Sequence, residues 1–333
     1  VRKADWDENR FDGELWMARR GEEPFQLTRT KGESSSDPGW SPDGSWIAFT
    51  GNYDGNTDVF VVSPAGGSPR RLTFHPGGDE VRGWTPDGTQ VLFNSRRISH
   101  STRYARLFTI TVEGGFPEPL PMPMAERGSY SPNAENIAYT PIREAYGSWK
   151  RYRGGITPWV WLFDFETLEV ERIPHENASD TMPMWIGETV YFVSDRDGPL
   201  NIYAYDIGMK EVRQVTRHSD FDVKSASMGD GRIVYEQAGR LHVLDPGNGR
   251  TTTLDIRIDP DLPHTRPRFE KVASQIRNAD ISPTAVRAVF EARGEILTVP
   301  KEKGDIRNLT NTPGTHERDP AWSPDGERIA YLS

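Results

Sequence analysis

The phrase that most constrains this chain is PGWSPDGSWIAF at 38–49, because it returns almost intact as PAWSPDGERIAY at 320–331. Looser copies lie between: GWTPDGTQVLF at 83–93, SYSPNAENIAY at 129–139 and MWIGETVYF at 184–192. Repetition at a fixed period points to stacked supersecondary units, which lets one architecture run through all 333 residues. Each unit reads as four short strands. The first ends at an aromatic and enters a Ser-Pro-Asp-Gly turn, in which Pro presets φ, Asp bonds back to the backbone and Gly accepts positive φ. The second strand is SWIAF (45–49), the third DVFVV (58–62) and the fourth PRRLTF (69–74).

The same grammar recurs along the chain. Third strands read as ELWMA (14–18), RLFTITV (106–112), WVWLFD (159–164), NIYAYD (201–206), RLHVLD (240–245) and EILTVP (295–300), and fourth strands as short segments such as FQLT, RQVT and RNLT. Aligned first-strand positions are Trp40, Trp84, Tyr130, Trp185, Ser227, Ile281 and Trp322, spaced by 41 to 55 residues. Four-stranded units at this spacing, punctuated by 31 Gly and 26 Pro, predict an all-β propeller. The expected blades are 32–75, 76–121, 122–174, 175–217, 218–254 and 255–311, flanked by half-blades at 1–31 and 312–333. Joining the halves gives a single seven-bladed domain, with 5–13 as the internal loop of the composite blade, and removes two open sheet edges. The alternative is six blades with an extra half-blade.

A net charge of −9 argues against nucleic acid or an anionic membrane as the main partner. There is no cysteine, which excludes disulfides, thiolate metal sites and Cys nucleophiles. No stretch is long and apolar enough for a transmembrane helix, and VRKADWDENR has no apolar signal core, so a soluble, mature or excised chain is expected.

Catalytic signatures are missing: there is no Gly-x-Ser-x-Gly elbow, no His-Glu-x-x-His and no phosphate-cradling glycine loop. Asp43, Asp87 and Asp325 read as turn residues, since Asn133 stands at the equivalent place. The seven histidines, His75, His100, His175, His218, His242, His264 and His316, show no metal-ligand spacing, so no metal or cofactor is expected. Two insertions stand out. GSWKRYRGG (147–155) sets Lys150, Arg151 and Arg153 beside Trp149 and Tyr152 in an otherwise acidic chain. It reads either as a clamp for a peptide carboxylate or as a solvated loop paired with acids such as Glu144. The other, 255–278, reads as extended strands or an edge cover.

From GNYDGNTDVFVV (51–62) onward the chain resembles the propeller region of tricorn-like serine peptidases. VEGGFPEPLPMPMAERGSYSP, WKRYRGG, DTMPMWIGETVYFVSDRDG, DFDVKSAS and EARGEILTVPKEKGDIRNLTNTPG carry the likeness well beyond the WSPDG phrase, which TolB-like proteins share. Residues 7–49 are more similar to the propeller of the prolyl-oligopeptidase and acylaminoacyl-peptidase family, and RNADISPTAVRAVF (277–290) resembles the first blade of a second tricorn-like propeller; the two readings are recombination, natural or engineered, at a repeat boundary and a divergent family member. The resemblance implies peptidase ancestry without catalytic residues in this chain: a propeller that gates or positions peptides for a separate serine-peptidase domain. It implies a carboxylate-anchoring role for Lys150 and Arg151, with Arg153 behind them. The alternatives are a TolB-like scaffold binding a protein or peptide and, further off, a metal-dependent propeller lyase.

Overall fold

A computed structural model describes the chain except for residues 6–9, 20–21, 31, 100, 102, 145–148, 176, 258–265 and 267. Parts of the 5–13 loop, of the 147–155 and 255–278 insertions and of the first half-blade, together with His100 and His264, therefore lie outside the described residues. Two compact units are present, Val1–Ile258 and Asp259–Ser333.

The first unit opens with a hairpin, β1 (Arg2–Asp5) and β2 (Arg10–Gly13), where an internal loop was expected, and a second two-stranded sheet, β3 (Trp16–Met17) and β4 (Phe25–Gln26). Five four-stranded antiparallel sheets follow in chain order. They are β5 (Ser35–Trp40), β6 (Ile47–Gly51), β7 (Asp58–Val62) and β8 (Arg70–Arg71); β9 (Asp79–Trp84), β10 (Gln90–Ser95), β11 (Arg106–Thr111) and β12 (Glu118–Pro119). Next come β13 (Arg127–Tyr130), β14 (Asn136–Thr140), β15 (Trp161–Asp164) and β16 (Val170–Arg172), then β17 (Asp180–Ile186), β18 (Thr189–Ser194), β19 (Asn201–Asp206) and β20 (Glu211–Gln214). The last of the five is β21 (Val223–Gly229), β22 (Arg232–Gln237), β23 (Arg240–Asp245) and β24 (Arg250–Thr253). The second unit holds the four-stranded sheet β25 (Ile276–Ile281), β26 (Arg287–Ala292), β27 (Glu295–Pro300) and β28 (Arg307–Asn308), and a two-stranded one, β29 (Arg318–Trp322) and β30 (Ile329–Leu332). A short 3-10 turn, Ala273–Gln275, leads into β25 within the 255–278 insertion.

The turn phrase works as its chemistry predicts. The Ser41 hydroxyl donates to Asp43 Oδ1 at 2.6 Å, the Ser45 amide donates to the same oxygen, and Gly44 sits at φ 73°. These bonds hold the exposed Asp43 carboxyl down at about 2. Asn133 receives the equivalent bond from Ser131 at 2.7 Å, and Asp87 and Asp325 take theirs from Thr85 and Ser323. Strand register locates each aligned position: Trp40 faces Ile47, Trp84 faces Val91 and Tyr130 faces Ile137, seven residues apart. In β17 and β21 a tighter two-residue turn shortens the span to five, so Trp185 faces Val190 and Met228 faces Ile233. The aligned residue of the fifth sheet is therefore Met228, one residue beyond Ser227.

A clasp not anticipated from the sequence ties third to fourth strands. The backbone amides of Leu15, Val59, Ile202 and Ile296 donate to the hydroxyls of Thr28, Thr73, Thr216 and Thr310 at 2.9–3.1 Å. Each hydroxyl in turn donates to the residue preceding that amide, namely Glu14, Asp58, Asn201 and Glu295. The Leu-Thr and Val-Thr endings of those fourth strands are thus hydrogen-bonding devices that satisfy buried polar groups at the sheet's outer side.

Apolar burial in the first unit lies between successive sheets. One core joins the β5–β8 and β9–β12 sheets through Val59, Val61, Val81, Trp84, Val91 and Phe108, and others join each later pair. The aligned aromatic helps seal these seams: Trp84 Nε1 donates to the Gly39 carbonyl at 2.9 Å. Such burial contributes roughly 2–3 kcal/mol per large side chain, which pleated, β-branched surfaces at this density convert into stable stacking.

Candidate functional site

Charge concentrates at the end of the sheets where first strands begin and second strands finish. Arg82 on β9 is almost wholly buried, pairs with Glu80, lies 3.7 Å from both Asp37 on β5 and Glu126, and donates through Nε to the Glu126 carbonyl at 3.0 Å. Burial pulls against the charge of Arg82 and pushes the Glu126 carboxyl up, more than its guanidinium neighbours pull it down. Arg127 pairs with Glu144 at 3.0 Å. The sequence carries the signal in DEVRGW and AERGSY, where charges stand on otherwise buried first strands, but sequence reasoning passed over it.

Lys150 and Arg153 of the 147–155 insertion pair with acids beside the next two four-stranded sheets. Lys150 Nζ lies 2.7 Å from Asp222, just before β21, and Arg153 lies 3.0 Å from Asp195, just after β18. Both acids are fixed independently: the Leu200 amide donates to Asp222 at 3.0 Å and the Ser179 amide to Asp195 at 2.7 Å. Burial opposes ionisation of Asp222, but the Lys150 ammonium and the Leu200 amide outweigh it and hold its carboxyl below the ordinary range. Glu144 takes Arg127 instead of the insertion. Arg151, at φ 59°, is exposed and has no ion-pair partner among the described residues. Beside it Trp149 and Tyr152 stack at 6.0 Å, with Trp149 63% exposed. The three cations are thus in one place in different states: two are tethered and one faces solvent.

Other candidate groups have local explanations. His175 Nδ1 is 2.9 Å from Asp180, which also takes Arg196; His218 reaches the Tyr235 hydroxyl at 3.1 Å, and Tyr235 stacks on His242. Among the described residues no group of three or more His, Asp or Glu side chains is arranged to hold a metal ion. No helix among them is long and apolar enough to cross a membrane. At the turn end, a cleft of about 550 Å³ opens between the second and third four-stranded sheets, lined by Thr85, Pro86, Asp87, Tyr130, Pro132 and Phe165. Burial pushes the Tyr130 hydroxyl up to about 12, so it stays protonated at neutral pH.

Residues 10–250 match the tricorn protease N-terminal beta propeller domain, a span that takes in most of the segment resembling prolyl oligopeptidases. The chain is similar to tricorn protease homolog 1 of Streptomyces coelicolor, 31% identical over 87% of this chain and 27% of that protein. It is similar as well to the tricorn protease homolog of Saccharolobus solfataricus, 26% identical over 96% of this chain and 30% of that protein. Its fold matches a crystal structure of the tricorn protease with a TM-score of 0.66 at 17% identity, over 96% of this chain and 40% of that one. The chain thus spans less than a third of these curated relatives. With a model match over most of its length, it belongs to the family of tricorn protease N-terminal beta propeller domains.

Proposed function

We propose that this chain is a non-catalytic, seven-bladed propeller that admits peptides and positions them for a serine-peptidase core lying elsewhere in the same protein. The family supports peptidase context. The repeat supports the seventh blade. At the same place in each second strand stands an aromatic, Phe49, Phe93, Tyr139, Phe192, Tyr235 and Phe290, facing Phe60, Phe108, Trp161, Tyr203, His242 and Leu297 on the third strand. By the same register Tyr331 on β30 would face Trp16 on β3, and the two-stranded sheets β29–β30 and β3–β4 would form one blade.

One observation carries the peptide-positioning reading: an exposed Arg151 that has no ion-pair partner among the described residues and lies between two tethered cations. Its guanidinium can take a terminal carboxylate with two parallel hydrogen bonds, and Trp149 and Tyr152 offer an apolar wall alongside. Lys150, whose ion pair is solvent-exposed and hence weak, can share the anion, while Arg153 braces the insertion from behind. Calorimetry with a short peptide bearing either a free or an amidated C-terminus tests this. Binding should require the free carboxylate and weaken about tenfold or more in Arg151→Ala, with smaller losses in Lys150→Ala and Arg153→Ala. Equal binding of the amide, or an unaffected Arg151→Ala, would remove carboxylate anchoring while leaving the family assignment intact.

A further inference from the structure

The cleft between the second and third four-stranded sheets lies at a place that the seams on either side fill. At the first seam Trp46 packs against the core shared by the first two sheets, and the Arg70 guanidinium lies over its ring at 5.3 Å. Arg70 also donates to the carbonyl of Val112, just after β11. At the third seam the Tyr205 hydroxyl on β19 donates to Glu171 Oε1 on β16 at 3.3 Å, and Lys210 Nζ lies 2.8 Å from the same oxygen. Each of these seams is closed by an aromatic ring and a cation.

Register shows what the second seam lacks. Trp46 precedes Ile47, which faces Trp40, and Gln90 precedes Val91, which faces Trp84, so Gln90 stands where Trp46 does. On the third strands Val61, Thr109 and Leu162 are equivalent. They face Arg70, Glu118 and Glu171, so Glu118 holds the place of both seam-closing residues. Across the seam, Phe163 faces Ile137 as Tyr205 faces Val190. The Leu168 amide donates to the Asp164 carbonyl as the Lys210 amide does to that of Asp206, both at positive φ. Phe163 has no hydroxyl and Leu168 no charge, and the exposed Glu118 has no ion-pair partner among the described residues. The cleft walls carry further unmet groups. Tyr130 stacks on Phe165 at 5.7 Å, and its hydroxyl, the Gln90 carboxamide and the Thr109 hydroxyl have no hydrogen-bond partner among the described residues. Asp87, exposed at the turn, adds a second carboxylate.

We infer that this cleft binds a basic aromatic peptide segment, whose ring enters between Gln90 and the Tyr130–Phe165 pair while an adjacent arginine or lysine pairs with Glu118. The segment brings from outside the ring and the cation that the adjoining seams supply from within. A volume of about 550 Å³ lies in the range of ligand pockets, and offset stacking on the Tyr130–Phe165 pair gives an aromatic side chain its advantage over an aliphatic one. The proposal is independent of carboxylate anchoring at Arg151.

Calorimetry on the 333-residue chain with N-acetyl-Arg-Trp-amide tests it, since this capped dipeptide has no carboxylate for Arg151. Exchanging the tryptophan for leucine, or the arginine for glutamate, should each weaken binding about tenfold. Gln90→Trp, which copies the first seam, should fill the cleft and abolish binding. Glu118→Arg changes an exposed side chain and should reverse the charge preference, so that N-acetyl-Glu-Trp-amide becomes the tighter ligand. No binding at millimolar peptide, equal binding of the leucine peptide, or an unchanged preference for arginine in Glu118→Arg would each overturn the assignment.

Discussion

The β9–β12 sheet and the β29–β30 hairpin are built from nearly the same words and reach different degrees of burial. Trp84 and Trp322, Val91 and Ile329, Phe93 and Tyr331 occupy the same register around the same Pro-Asp-Gly turn. Yet Phe93 is fully buried, whereas Tyr331 is 46% and Leu332 59% exposed. The repeated phrase therefore specifies a hairpin and its register, while burial comes from a third strand and a neighbouring sheet. Two strands alone are marginal in water, and only completion turns their aromatic positions into a core.

Truncating the two aromatics gives the largest expected effect and the sharpest break in the comparison. Phe93→Ala should cost about 3–5 kcal/mol in urea unfolding, since it empties a packed site facing Phe108. If the seventh blade forms as proposed, Tyr331→Ala should approach that cost. A loss below about 1 kcal/mol would mean that Tyr331 stays half exposed in solution.

A smaller effect concerns the seam between the second and third four-stranded sheets. The Glu126 carboxyl is raised in the fold, so its favourable contribution is present at low pH and is lost as pH rises through the folded value. Glu126→Gln should therefore be the more stable protein at pH 7, with the difference closing as the solution is acidified toward the carboxylate range. A gap that widens on acidification would show that the ion pairs with Arg82 and Arg96 outweigh burial.

Most strands and every Pro-Asp-Gly turn were legible in the sequence because their determinants are local: alternating β-formers, fixed-φ Pro and turn Asp. The slip from Ser227 to Met228 arose where a two-residue turn replaced the longer one, a change of loop length that composition alone does not mark. The hydroxyl clasps were visible as an acid or Asn 14–15 residues before a Thr, had the spacing been sought. The tethering of Lys150 and Arg153 was not legible, since Asp222 and Asp195 flank strands of other sheets and only the packing of successive sheets brings them near. Local bonding repeats with the phrase; pairing between sheets depends on where the insertion lands.

The most direct measurement uses the absence of native cysteine. Met17→Cys combined with Ala330→Cys places two thiols at positions that face each other if Tyr331 meets Trp16. Mild oxidation should close an intramolecular disulfide in the monomer nearly to completion, and a control pair one register out, Ala18→Cys with Ala330→Cys, should close far more slowly. Failure of the first pair to close, or closure only between molecules, would contradict a blade shared by the β3–β4 and β29–β30 sheets.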